Sequence, residues 1–247
     1  MGYFDVLYKF YDAYNGADFK GFCQFYKKSI DKFGSCSVEI VLDVGCGTGG
    51  VSKLLSKSFQ VIGVDISSNM LSVASSKCGN KVLLLNQDMC EMELYGTVQG
   101  CVSFCDSFNY IESKADLERA FSRIALFMES GGLLVFDAST KYRFDTLLNN
   151  KCFVNESDNG VLIHRGKYSK KNKSINMDVT IFHKMGNSYK RFDETQVEHY
   201  YSDNDFVNIA KKTGFELCGI FGDFDFNEVS PTDEKHYYIF RRKKWEI

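Results

Sequence analysis

The stretch VLDVGCGTGG, residues 41–50, decides the fold of this chain. It continues a β-branched and leucine-rich run, residues 38–44, which is typical of a strand buried on both faces. Glycines follow at positions 45, 47, 49 and 50, and a helical pattern begins directly after them. The stretch therefore predicts a strand, a tight glycine turn and a helix start, whose exposed N–H groups favour an electron-rich ligand.

Apolar runs and helical patterns alternate along the chain around this glycine turn. Strands are predicted at 60–64, 81–85, 100–104 and 133–136, and helices at 50–57, 69–77 and 114–128. The later predictions are a helix at 202–212, ended by Gly214, and strands at 215–221 and 236–241. This order predicts an α/β fold with a Rossmann-like, doubly wound, mostly parallel seven-stranded sheet.

Two segments depart from this alternation. From residue 3 to residue 33, apolar and aromatic residues recur every three or four positions, which predicts two amphipathic helices. From 151 to 201 the pattern has a period of two, which predicts an antiparallel β insert. The apolar residues on one side of its central strand are Ile175, Met177, Val179 and Ile181.

Composition and charge limit the classes of partner. The 247 residues carry a formal net charge of −2, without the basic surface that binds phosphate backbones, so nucleic acid is a disfavoured partner. No window approaches the ~20 apolar residues of a membrane helix, and residues 1–10 lack the apolar core of a signal peptide. The nine cysteines are scattered as in reduced proteins, and only Cys101 and Cys105 come close to the paired spacing of metal ligands. We therefore expect one main domain, a cytoplasmic location, no membrane partner and no metal.

An acidic residue ends the second predicted strand. Asp65 closes the run VIGVD, 18 positions after Gly47, where a carboxylate can accept hydrogen bonds from both hydroxyls of a ribose. Its alternative role is that of a helix N-terminal residue without a ligand. Gly45, Gly47 and Gly50 also fit G-x-G-x-x-G, so a nicotinamide or flavin dinucleotide competes as the ligand. Asp43, two places before the first glycine, favours a different adenosine-containing ligand.

With these residues the sequence resembles the class I S-adenosylmethionine-dependent methyltransferases. The resemblance covers residues 38–139, in which Asp43, Gly45, Gly47 and Gly49 match the family's D-x-G-x-G-x-G. It implies S-adenosylmethionine as cofactor and S-adenosylhomocysteine as product. The residues implied around the cofactor are Tyr11, Asp43, Gly45, Cys46, Gly47, Gly49, Asp65, Ile66, Met70, Gln87, Asp88, Met89, Phe104 and Cys105.

The resemblance also gives several of these residues a role. Asp65 would hold the ribose, Met70 and Ile66 would pack on the adenine, and Asp88 would bond the adenine amino group. Residues 104–110 would line the methionine end of the cofactor.

Three shorter stretches resemble a bacterial small-molecule type of these enzymes that carries a β insert. They are residues 10–12, 106–110 and 190–194. This resemblance implies an N-terminal helical lid (1–35), a cofactor-binding domain (36–150 with 202–247) and an antiparallel β insert on the acceptor side (151–201).

Methyl transfer requires an aligned nucleophile and, for a hydroxyl or a charged amine, a proton acceptor. The candidate proton acceptors are His164, His183, Glu198 and His199 in the insert, with Asp106 beside the cofactor. Our preferred catalytic residues are Asp106 and His199, because the neighbours of His199 close the insert where its last strand returns to the sheet.

The acceptor class follows in part from what the sequence lacks. Pro231 is the one proline, so the chain has neither the [DN]-P-P-[YF] of adenine and glutamine N-methylation nor the Pro-Cys of cytosine C5 methylation. A small molecule with a nitrogen or oxygen nucleophile is therefore the predicted acceptor, with tRNA and protein as less favoured alternatives. The alternatives are an NAD(P)-dependent oxidoreductase and a non-catalytic ligand-binding protein of the same fold. The sequence does not indicate the oligomeric state.

Overall fold

The computed structural model of the protein describes Phe4 and residues 6–244. Its eleven strands are β1 (Ile40–Val44), β2 (Gln60–Asp65), β3 (Val82–Asn86), β4 (Val98–Ser103), β5 (Met128–Ser139), β6 (Cys152–Ser157), β7 (Gly160–Ser169), β8 (Ser174–Met185), β9 (Ser188–His199), β10 (Phe215–Phe221) and β11 (Lys235–Arg242). Its α-helices are α1 (Tyr11–Tyr14), α2 (Phe19–Phe33), α3 (Gly50–Leu55), α4 (Ser68–Cys78), α5 (Lys114–Phe127) and α6 (Asp203–Lys212).

Seven strands form the main sheet in the order β10-β11-β5-β4-β1-β2-β3. The first five strands along the chain run parallel, and β11 pairs antiparallel with both β5 and β10. The predicted mostly parallel, doubly wound sheet is confirmed. Because the chain order reverses between β1 and β4, the loops after these strands diverge and leave a crevice at their carboxyl ends.

Both faces of this sheet are covered by helices. On one face α5 and α6 enclose a cluster of fully buried aromatic side chains, namely Phe108, Phe121, Phe136, Phe206 and Phe240. On the other face α2 packs Phe22, Phe25 and Tyr26 against the strands, and α3 adds Val51 and Leu55. Each such ring contributes about 1.5–3 kcal/mol on burial, so these two layers hold the strand ends in place.

The N-terminal segment differs from the two predicted helices. Asp18 caps α2 by accepting a hydrogen bond from the Gly21 N–H (2.9 Å), and α2 is the one long helix among the described residues before β1. Ahead of it lie only a 3-10 turn, Leu7–Lys9, and the single turn α1, while residues 1–3 and 5 lie outside the described residues. The prediction of a first regular helix was wrong because Leu7 and Phe10 bury themselves against the insert rather than along a helix face.

The insert is a four-stranded antiparallel sheet in the order β6-β7-β8-β9. Its inner face is apolar along β8, as the alternation predicted, with Ile175, Met177, Val179 and Ile181 all buried. This face packs on the N-terminal segment and on Phe144, which lies in a π-helical turn, Arg143–Leu148, after β5. The insert therefore covers the carboxyl edge of the main sheet.

No helix within the described part of the chain is long and apolar enough to cross a membrane. All nine cysteines are free thiols. Among the same residues, no three His, Cys, Asp or Glu side chains are grouped as a metal site.

Candidate active site

A cavity of about 280 Å³ lies at the carboxyl ends of β1, β2, β3 and β4. The topology places it there, because parallel strands end at one edge and their following loops meet around the crevice. Of the residues implied around the cofactor, those in the cavity wall are Tyr11, Asp43, Gly45, Cys46, Gly47, Asp65, Ile66, Met70, Gln87, Asp88, Met89, Phe104 and Cys105. Gly49 lies outside this wall.

The glycines of the loop after β1 have different structural roles. Gly45 and Gly47 have φ angles of +70° and +53°, which L side chains rarely adopt. A Cβ on Gly47 would meet no atom within 4 Å, so the loop leaves this side open to the cavity. A Cβ on Gly45 would lie 2.5 Å from the Ser107 Oγ, and one on Gly49 would lie 2.9 Å from the Cys78 Sγ, so these two glycines permit packing within the protein.

Asp65 joins two loops at the end of β2. Its Oδ2 accepts a hydrogen bond from the Gly47 N–H and its Oδ1 accepts one from the Ser67 N–H, both at 2.8 Å. Burial raises the pKa of Asp65, and these two backbone donors oppose the rise. Each carboxylate oxygen keeps a second lone pair. The side chain is therefore both a cap near the start of α4 and an available acceptor for ligand hydroxyls.

Asp43 forms the floor of the cavity beneath the glycine loop. The Ser52 Oγ donates a hydrogen bond of 2.5 Å to its Oδ2, which ties β1 to α3. Burial raises the pKa of Asp43 to about 7, since the side chain is almost fully removed from water. This carboxyl is therefore partly protonated near neutral pH.

The far side of the cavity contains residues from the loops after β2 and β3. Met70 is buried, Ile66 is 65% exposed, and both line the wall. The Asp88 Oδ1 accepts a hydrogen bond from the Cys90 N–H at 2.8 Å, which fixes the carboxyl at the cavity rim. The Gln87 side chain is held by two hydrogen bonds with the backbone of Glu93, at 2.7 and 3.3 Å.

Phe4 and residues 6–14, which we call the closing segment, complete the wall with the Phe4 and Tyr11 side chains. The Glu194 carboxylate on β9 accepts hydrogen bonds from the N–H groups of residues 4, 6 and 7, at 2.9, 2.9 and 3.0 Å. At its other end Asp12 accepts a hydrogen bond from the Thr48 hydroxyl (2.6 Å) and pairs with Lys77 (2.5 Å). The closing segment is thus fastened to the insert on one side and to the glycine loop on the other.

A buried charge cluster lies next to the cavity, beneath the insert. The Lys235 Nζ lies 2.7 Å from carboxylate oxygens of both Asp106 and Asp137, and Arg143 lies 3.9 Å from Asp106. Burial alone would raise the pKa of Asp106, but Lys235 and Arg143 outweigh it and hold that pKa below its ordinary value. Asp106 is therefore an ionised member of a salt-bridge network, and it lies outside the cavity wall.

Sequence reasoning did not find the partners of Asp106. Lys235 lies 98 positions after Asp137, and no motif marks Lys235 in the sequence. The antiparallel pairing of β11 with β5 brings Lys235 to these two carboxylates.

The four remaining candidate proton acceptors of the insert lie at different places. Side chains alternate between the faces of β9, so Glu198 and His199 point to opposite sides. His199 lies outside the cavity wall, and its backbone carbonyl accepts a hydrogen bond from the Asn109 Nδ2 at 2.8 Å. His164 is partly buried and its Nε2 has no hydrogen-bond partner in the described structure, while the His183 ring stacks near Phe10 with centroids 5.0 Å apart. The buried Glu198 hydrogen-bonds Tyr110, a residue of the cavity wall.

Comparison with known proteins agrees with this geometry. A family profile described as a methyltransferase domain matches residues 41–132. A provisionally named methyltransferase of Geobacillus sp. (strain WCH70) is 28% identical over 247 residues, which cover 98% of this chain and 100% of that protein.

Two solved structures share the architecture. The crystal structure of an S-adenosylmethionine-dependent methyltransferase from Clostridium acetobutylicum ATCC 824 superposes with a TM-score of 0.87 at 24% identity, over 96% of this chain and 97% of that one. The sugar N-methyltransferase KedS8 from Streptoalloteichus sp. ATCC 53650 gives a TM-score of 0.79 at 19% identity, over 96% and 93% of the two chains. At these identities the solved structures establish the fold. The domain match, the relative and the glycine loop support a class I S-adenosylmethionine-dependent methyltransferase, the family that the sequence resembles.

Proposed function

We propose that the protein transfers the methyl group of S-adenosylmethionine to a nitrogen or oxygen atom of a small molecule. The observation that carries this proposal is the closing segment, since Phe4 and Tyr11 form one wall of the cavity together with the glycine loop. A cavity enclosed in this way suits a small acceptor rather than a polymer. The formal net charge of −2 also disfavours nucleic acid.

The residues of the cavity fit S-adenosylmethionine. The open side of Gly47 leaves room for a nucleoside against the backbone, and the free lone pairs of Asp65 are suited to ribose hydroxyls. Met70 and Ile66 offer an apolar surface for adenine, and Asp88 offers an acceptor for its amino group. When bound, the cofactor supplies an electrophilic methyl group on a positively charged sulfur.

The chain contributes alignment and the exclusion of water. Phe4 packs edge-to-face against Tyr11 and at a tilt against Tyr110, with ring centroids 5.7 and 5.5 Å apart. Tyr11 also hydrogen-bonds Cys105, so these rings cover that end of the cavity. Holding two reactants in line at contact distance gives effective concentrations on the order of 10⁵–10⁸ M. A closed cover of aromatic rings would serve this purpose and exclude water as well.

The preferred catalytic residues take different places in this proposal. Asp106 keeps Lys235 and Arg143 in position beside the cavity, because its pKa is lowered and it is already paired. The catalytic role of His199 stays a prediction, and its ring lies outside the cavity wall.

We further propose that the chain is divided as the resemblance implies. Residues 1–35 act as a lid, 36–150 with 202–247 bind the cofactor, and 151–201 shape the acceptor side. The contacts of the closing segment with both other parts support this division. The cytosolic location stays a prediction.

Two measurements test the proposed function. Calorimetric titration with S-adenosylhomocysteine and with NAD should give binding of the first alone; binding of NAD alone would favour an oxidoreductase. The protein should then be incubated with S-adenosyl-[methyl-³H]methionine and three fractions of a cell extract: metabolites below 1 kDa, RNA and protein. We expect labelled product in the metabolite fraction. Label confined to RNA or protein would contradict a small acceptor, and no label in any fraction would favour a ligand-binding role.

A further inference from the structure

The carboxyl groups beside the cavity are not equally paired. Asp106 and Asp137 each lie 2.7 Å from the Lys235 Nζ, whereas no cation lies within ion-pair distance of Glu198 among the residues that the structure describes. Glu198 is nevertheless only 6% exposed. Burying an ionisable group without a countercharge is costly, so such a group usually has a purpose or a missing partner.

The groups that face Glu198 come from every element packed around it. They are Asp106 after β4, Tyr110 in the following turn, Arg143 after β5 and Lys235 at the start of β11. Burial and the charge of Asp106 raise the pKa of Glu198 to about 8, although Arg143, Lys235 and the Tyr110 hydroxyl all oppose the rise. The two cations are already occupied by Asp106 and Asp137, which explains why they do not suffice.

Tyr110 connects Glu198 to the cavity. Its side chain belongs to the cavity wall. Its hydroxyl lies 3.1 Å from the Gln196 Oε1 and also hydrogen-bonds the Glu198 carboxyl, so these two acceptors share its single proton. Burial raises the pKa of Tyr110 well above its ordinary value, so this hydroxyl keeps its proton and can only pass one on. Glu198 thus lies one side chain behind the wall, and the Tyr110 ring in front of it packs against Phe4 with centroids 5.5 Å apart.

We propose that the acceptor is an amine and that Glu198 receives its proton through the Tyr110 hydroxyl. The ammonium form of such a substrate supplies the countercharge that Glu198 lacks. This inference rests on the proposed function and selects nitrogen from the two nucleophiles that function allows.

The ammonium group gives one proton to the Tyr110 oxygen while the Tyr110 hydroxyl gives its own proton to the Glu198 carboxylate, which leaves a neutral amine and a neutral carboxylic acid. The nitrogen lone pair then forms the bond to the methyl carbon, and the electron pair of the broken carbon–sulfur bond stays on sulfur. The product ammonium carries the positive charge that sulfur loses.

The test follows the titration of Glu198 rather than turnover. Protein labelled with ¹³C-glutamate and saturated with S-adenosylhomocysteine is titrated from pH 5 to pH 10, and Glu198→Gln assigns the resonance. One series contains 0.2 M sodium chloride and the other 0.2 M methylammonium chloride. We expect the pKa of Glu198 to be lower by about one unit or more in methylammonium, because a nearby cation favours the ionised form.

The controls separate this effect from general salt binding and from misfolding. Glu129 lies exposed at the amino end of β5, where hydrogen bonds from Thr97 and Gln99 lower its pKa, so its resonance should titrate alike in both salts. Tyr110→Phe keeps the fold contacts of the ring and removes the hydroxyl that bridges the ammonium group and Glu198, so the methylammonium shift of Glu198 should become smaller.

Equal pKa values of Glu198 in the two salts would overturn the amine inference. Failure of S-adenosylhomocysteine to bind would instead overturn the proposed function, and calorimetry reads this separately.

Discussion

Asp65 is the residue on which the cofactor cavity depends most directly. Its two carboxylate oxygens hold the N–H groups of Gly47 and Ser67 and still have lone pairs to offer. Its position at the cavity was predictable from the sequence, because a strand end, a glycine loop and an acidic residue 18 positions later are local features, while its role toward a ribose stays a prediction. The additional bonds to the two loops were not, since they depend on the final geometry of the turn.

Replacing Asp65 by alanine should weaken binding of S-adenosylhomocysteine by about 1–3 kcal/mol, which is about 5- to 150-fold in the dissociation constant, because charge-assisted hydrogen bonds are lost. Calorimetry on the folded variant measures this. Asp178→Ala is the matched control, since Asp178 lies exposed on the insert and bonds Thr195. An unchanged dissociation constant in Asp65→Ala would remove this residue from the site.

The effect of a Cβ at Gly47 on ligand binding can be measured separately from the backbone strain that the substitution causes. Gly47→Ala and Gly186→Ala introduce a Cβ at similar φ angles, +53° and +62°, and neither Cβ would meet protein atoms within 4 Å. Each should therefore lower the free energy of unfolding by about 1–2 kcal/mol. Only Gly47→Ala should weaken cofactor binding, by about 1–3 kcal/mol, since its methyl group would project into the cavity. Equal binding by both variants would show that no ligand approaches Gly47.

At the level of elements, the parallel strands and their helices were predictable because their patterns are local and strongly periodic. The closing segment was not. Its apolar spacing resembles that of a helix, yet Leu7 and Phe10 pack on the flat inner face of the insert. The partner that decides this, Glu194, lies 187 to 190 positions away, so no window of sequence contains both.

Glu194→Gln should loosen the closing segment. The Glu194 carboxylate accepts hydrogen bonds from three backbone N–H groups through two oxygens. The glutamine amide has one acceptor oxygen, and its NH₂ group would face the remaining backbone N–H donors. Losing hydrogen bonds to a charged acceptor costs about 1.5–3 kcal/mol, so dissociation of S-adenosylhomocysteine should accelerate by about one to two orders of magnitude. A chase of radiolabelled S-adenosylhomocysteine with excess unlabelled compound measures the rate.

Asp193→Asn provides the comparison for this variant. Asp193 is the neighbour of Glu194 on the opposite face of β9, where it bonds Thr180 and Arg191. Its replacement should leave the dissociation rate unchanged. Equal rates in the two variants would mean that the closing segment does not govern release of the product.

Across the whole molecule, the buried carboxyl groups fall into two kinds, whose ionisation has opposite effects on the stability of the folded state. Asp106 is paired and has a lowered pKa, so it favours the folded state once ionised. Asp43 and Glu198 have pKa values raised to about 7 and about 8, so their ionisation favours unfolding. The sequence predicted that Asp43 would lie at the cavity but not how completely β1 and α3 would enclose it.

The free energy of unfolding of the cofactor-free protein should therefore fall as the pH rises from about 5 to about 7. In the unfolded chain Asp43 is ionised above its ordinary pKa of 3.8, while the folded state still binds a proton there until about pH 7. Stability decreases with pH wherever the folded state binds more protons, and each unit of pKa difference corresponds to about 1.36 kcal/mol. Asp43→Asn removes this pH dependence and keeps an acceptor for the Ser52 hydroxyl, so the stability of this variant relative to wild type should increase up to pH 7 and then level off.

Urea unfolding at pH 5, 6, 7 and 8 measures the difference, with the exposed Asp178→Asn as the control that should parallel wild type. A constant difference between Asp43→Asn and wild type across this range would mean that Asp43 is ionised in the folded protein, and that the glycine loop lies over a charge rather than over a neutral acid.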